Sequence, residues 1–69
     1  MWAVVYIAPR RDTALELKEF LAKEGILAIT RPVGYQMAGD GGNYEVLVSE
    51  SEAEDALALL NAILQKNPD

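Results

Sequence analysis

The order of hydrophobic periods limits what this chain can fold into more than any single residue does. A strand-length apolar run comes first, then a helical stripe, two further strand-length runs and a second helical stripe, with a cap or turn signal at each junction. Trp2-Ala-Val-Val-Tyr-Ile-Ala8 is aromatic and β-branched and stops at Pro9, which predicts a strand. Beyond Arg10-Arg11-Asp12, Thr13 and Glu16 have the spacing of a capping box, in which each side chain satisfies the other's free backbone N–H. Asp12 is the competing cap. Ala14, Leu17, Phe20 and Leu21 form the stripe of a one-sided helix, and Gly25 ends it because glycine adopts the left-handed conformation most easily.

Ile26 to Arg31 reads as a second strand, stopped by Pro32, and Tyr44 to Val48 as a third. Between them, residues 33–43 hold Gly34, Gly39, Gly41 and Gly42 with Asp40 and Asn43, the composition of a loop with a mobile tip. Gly39-Asp40-Gly41-Gly42 has the look of a phosphate cradle. A cradle, however, needs a strand–loop–helix setting with a following lysine, and Asp-Gly is first of all a hairpin turn signal. Tyr35 and Met37 in the same segment are candidates to cover a ligand or partner. A second capping box, Ser49 with Glu52 or Ser51 with Glu54, opens a second helix whose apolar face is Ala53, Ala56, Leu57, Leu60, Ile63 and Leu64. Glu50, Glu52, Glu54 and Asp55 crowd its start, where the helix dipole favours negative charge.

A strand, a crossover helix and a parallel strand wind right-handed, and the third strand can return antiparallel between the first two. The expected architecture is therefore α+β and βαββα in order, one domain over residues 1–69. It is the ferredoxin-like arrangement lacking its last strand, with sheet order 1-3-2 and both helices on one face. Strands 1 and 2 lying side by side is the alternative. The helix-covered face should take Ala3, Val5, Ile7, Tyr44, Val46 and Val48, leaving Trp2, Val4, Tyr6, Glu45 and Leu47 on the uncovered face. Residues 2–25 and 44–67 echo each other weakly, and that echo would instead put Trp2, Val4 and Tyr6 in the core. Their bulk beside two small helices argues for the first assignment.

Composition removes several function classes. The 69 residues carry a net charge of −5 and contain neither Cys nor His. There is no disulfide, zinc is disfavoured, and the commonest general base and the thiolate nucleophile are both missing. No metal or cofactor is expected. The net charge, eleven acids against six bases, argues against general nucleic-acid binding, whose affinity for phosphate backbones depends on clustered Lys and Arg. The opening apolar run has no preceding basic region and is far shorter than the ~20 residues a membrane span requires, so the expected place is the cytoplasm. Ser49 and Ser51 read as caps, and the lysines as solvated helix residues.

Two surfaces remain as candidates. Arg10, Arg11 and Arg31 should gather at one pole with Thr13 and the free N–H groups of the first helix, a setting suited to a small anion. The competing reading is that Arg11 pairs with Asp12 and the arginines are simply solvated. The second surface is the uncovered sheet face of Trp2, Val4, Tyr6 and Leu47. A small domain with a bare apolar sheet face usually meets a protein partner or its own copy, and the uncharged edge of the first strand could add to a homodimer contact.

The chain resembles a family of short bacterial proteins described as prokaryotic signal-transducing proteins. The resemblance spans nearly the whole chain. It rests on the first strand through Val5-Tyr6, the helix Ala14 to Leu21, the junction Ala22-Lys23-Glu24-Gly25-Ile26, and Val46-Leu47-Val48 followed by an acidic start and Ala53-x-x-Ala56-Leu57-x-Leu59-Leu60. It implies a βαββα module with a regulatory role, used alone or fused to other domains; the long 33–43 segment departs from the pattern. Similar chains also carry a glutamate decarboxylase label. Pyridoxal phosphate chemistry needs a Schiff-base lysine, a phosphate cradle and a ring-nitrogen partner, which 69 residues with helix-surface lysines do not enclose. The expected function is a non-catalytic regulatory or binding module. A structural accessory subunit of a larger complex is the alternative, and an enzyme the remotest class.

Overall fold

A computed structural model describes residues 1–33 and 42–65. The readings made above for Gly34, Tyr35, Met37 and Gly39 to Gly41 lie outside the described residues. The elements are β1 (Trp2–Ala8), α1 (Arg11–Lys23), β2 (Ala28–Pro32), β3 (Tyr44–Ser49), a single 3-10 turn at Glu50–Glu52, and α2 (Ala53–Leu64). The sheet order is β1-β3-β2, and β3 runs antiparallel to both neighbours, so β1 and β2 are parallel. The α+β, βαββα architecture is the one expected, and the alternative with β1 beside β2 is not adopted.

Both helices lie on one face. Ala14, Leu17 and Leu21 of α1 and Ala56 and Leu60 of α2 close over Val5, Ala8, Ala28, Val46 and Val48 to form the core. Four of these residues are alanines, and Ala8, Ala14 and Ala56 are completely sealed. Small side chains at these points let the helices approach the sheet closely. Leu21, Val46 and Val48 supply the bulk.

The helix ends depart from expectation at their starts. Arg10 has extended backbone and α1 begins at Arg11, so Thr13 lies inside the first turn and no side chain caps the helix. Ser49 occupies the N-cap position of the 3-10 turn, but neither its side chain nor that of Ser51 caps a helix. Their hydroxyls bond each other at 2.9 Å, and Glu52 occupies the cap position of α2. The end of α1 is as expected. Gly25 has φ 88°, the Gly25 N–H donates to the Ala22 carbonyl at 3.0 Å, and the Ile26 N–H donates to the Leu21 carbonyl at 2.9 Å. These two bonds are the Schellman pair, and buried Ile26 and Leu21 supply its apolar contact.

One irregularity rearranges β1. Val4 pairs with Leu47 and Tyr6 with Val46, so Val5 is an extra residue in the ladder, a β-bulge. Up to Val5 the expected alternation holds; after it, the phase reverses. Tyr6, expected on the uncovered face, pairs with core residue Val46 and packs against the core, and Ala8 is buried. Ile7, expected in the core, pairs with Glu45 on the far side and is 52% exposed.

Candidate interaction surface

The helix-free face follows from the strand registers. Neighbouring strand positions share a face, and β3 sends Glu45, Leu47 and Ser49 away from the helices because Val46 and Val48 point toward them. Three rows result. Trp2 lies beside Ser49; Val4, Leu47 and Ile29 lie side by side; Ile7, Glu45 and Arg31 form the third. The middle row is wholly apolar. Arg31 Nε donates to Glu45 Oε1 at 2.6 Å, so an ion pair borders one end of the strip.

Of the four candidate contact residues, Trp2 and Val4 are on this face, each 45% exposed. Tyr6 is not, because of the bulge. Leu47 is on the face but only 2% exposed, although it is not part of the helix-side core. It forms a sealed floor in the central strand, and the contact area comes from its neighbours. Ile7 and Ile29 join the surface unannounced. For Ile29 a signal existed: the second strand is apolar on both faces, and only its pairing with Leu47 tells which face it serves. For Ile7 no signal existed, because Val-Val-Tyr-Ile gives no polar residue to mark where the phase slips.

The arginine pole is assembled only in part. Ala8, Tyr44 and Pro32 pair across the sheet, so the ends of β1 and β2 do share one end of the molecule. The pleat then separates the charges. Arg31 extends on the helix-free side and is engaged by Glu45, whereas α1 starts on the opposite side. Arg10 approaches Asp12 at 3.8 Å with both side chains largely exposed, and Arg11 and Thr13 begin α1. Arg31 is therefore not brought to the N–H groups of α1, and the anion-binding constellation of Arg10, Arg11, Thr13 and Arg31 does not converge.

Among the described residues, open clefts lie elsewhere. One, about 430 Å³, runs between the end of α1 (Glu24, Gly25, Ile26) and the start of α2 (Glu52, Asp55, Leu59). Another, about 480 Å³, lies around Met1 and Ser49 to Ser51. Among the described residues no group of three acids is placed to hold a metal ion, and no polar or charged side chain is buried. No described helix is long and apolar enough to cross a membrane.

A scan against protein-family models finds no match to this chain, and searches of curated proteins and of solved structures find none either.

Proposed function

We propose that the chain is a non-catalytic binding module that receives a protein partner on its helix-free sheet face. The observation that carries this reading is the strip of Trp2, Val4, Ile7 and Ile29 over the sealed Leu47. Trp2, Val4 and Ile7 at 45–52% exposure, beside a half-buried Ile29, cost solvation free energy in isolation, and covering them recovers it. The Arg31–Glu45 pair at the border gives such a contact an oriented polar edge. A regulatory role, as the family resemblance implies, is the use that fits a module of this kind.

A photo-crosslinking amino acid at position 29 tests this in the source cell, with the same group at exposed position 19 on α1 as control. Position 29 should yield a discrete protein adduct, suppressed by excess wild-type chain but not by the Trp2→Glu, Ile29→Lys double variant. Identical adducts from both positions, or none from position 29, would reject the reading.

A further inference from the structure

The two edges of this sheet are unlike each other. β2 ends one side with five residues, Ala-Ile-Thr-Arg-Pro, and so carries a charge and a proline, both of which discourage further pairing. β1 ends the other side with seven residues and no charge at all. Among the described residues nothing pairs with its outer edge.

The helix layer has a matching feature. α2 lies chiefly over β1, and its buried line is Ala56 and Leu60. With successive residues about 100° apart around a helix, Leu59 falls on one side of that line and Leu57 and Leu64 on the other. Leu59 lines the cleft toward α1. Leu57 and Leu64 therefore look away from α1, past the outer edge of β1, and are 48% and 44% exposed. The free strand edge thus has apolar side chains flanking it in both layers: Leu57 and Leu64 above, Trp2, Val4 and Ile7 below.

We infer that a second copy of this chain occupies that edge, β1 against β1 about a two-fold axis, so that two three-stranded sheets join into one of six strands. The occupant follows from what the edge presents. Unpaired backbone groups call for another extended segment, and the same uncharged strand in a second copy supplies one with no like charge brought to the seam. The antiparallel relation also places Leu57 of one copy toward Leu64 of the other. It holds the acidic starts of the two α2 helices at opposite ends, which matters for a molecule of net charge −5. A stable dimer buries about 800 Å² per partner, roughly a sixth of the 4708 Å² this chain exposes, and the exposed apolar side chains flanking the edge in both layers would contribute to it. The inference deepens the binding-module reading: the two helix-free faces become neighbours, with Trp2, Val4 and Ile7 of both copies meeting at the centre of one platform.

Sedimentation equilibrium on the wild-type chain, from micromolar to hundreds of micromolar, should show a dimer. Leu57→Lys with Leu64→Lys should weaken it about 100-fold while circular dichroism stays native, both positions being half exposed. Ile29→Lys, on the helix-free face away from β1, should leave the dimer intact. Alternate β1 amides should exchange more slowly in the wild type than in the monomeric double variant, with β3 amides alike in both. A wild-type monomer at the highest concentration, a dimer indifferent to the double variant, loss of the dimer in Ile29→Lys, or unchanged β1 exchange would each overturn the inference. The crosslink at position 29 is scored separately, so a monomer that still crosslinks leaves the partner face standing.

Discussion

Gly25 is held at φ 88°, a conformation L side chains rarely adopt, yet a Cβ placed there meets nothing within 4 Å. The cost of replacing it is therefore purely backbone. Gly25→Ala should destabilise the fold by about 1–2 kcal/mol, and Gly25→Asn by less, since asparagine tolerates the left-handed region better. Urea unfolding of the two variants checks the order, and an equal or larger loss for Asn would point to side-chain crowding instead. This cap was legible in the sequence because one residue type fits one dihedral requirement. The N-terminal caps were misread for the opposite reason: Thr13–Glu16 and Ser49–Glu52 have suitable spacing, but where the helix begins is decided by backbone. Extended Arg10 starts α1 at Arg11, two residues before Thr13, and the two serine hydroxyls satisfy each other. Arg31 shows the same limit. Its pole was readable from topology, but its side of the sheet depended on register, and there Glu45 stands directly opposite.

At the scale of elements, the bulge at Val5 makes a sharp claim about two adjacent residues. Tyr6 packs against the core and Ile7 faces solvent, so Tyr6→Lys should cost about 2 kcal/mol and Ile7→Lys no more than about 0.5 kcal/mol. Thermal and urea denaturation of the pair decide it; the reverse ranking would mean that regular alternation persists through β1. Strand and helix order, parallel β1 and β2, and the closure of α1 were all legible, because period and punctuation encode them. The bulge was not, since a run of uniformly apolar residues contains no mark of phase. α2 was half legible. It carries more apolar positions than one buried face can use, and the structure spends Ala56 and Leu60 on the core while Leu57 and Leu64 remain outside. That surplus is the apolar surface the proposed dimer would cover.

For the whole molecule, size governs stability. A chain of 69 residues has roughly 3–10 kcal/mol to lose, and Leu21 is fully buried where α1, its Schellman end and the sheet meet. Leu21→Ala should remove about 2–5 kcal/mol, leaving a variant largely unfolded near physiological temperature. Calorimetry showing a cooperative transition within a few degrees of wild type would contradict this placement of the core. Coupling to a second copy has its own signature, because whatever binds only the folded state stabilises it by mass action. The thermal midpoint of the wild type should climb with protein concentration. That of the Leu57→Lys, Leu64→Lys variant should stay flat. Concentration-independent midpoints in both would separate folding from assembly altogether.

The contrast between the two sheet borders has a bearing on how assembly stops. A chain with two receptive borders would add copies indefinitely, each arrival exposing a fresh one, and would run on into fibrils. In the proposed dimer the join would consume the receptive border of each copy, leaving outward on both sides a short strand bearing Arg31 and Pro32. Growth of such an assembly would be finite by construction: the reaction would terminate at two, and a high local concentration would fill dimers without seeding a polymer.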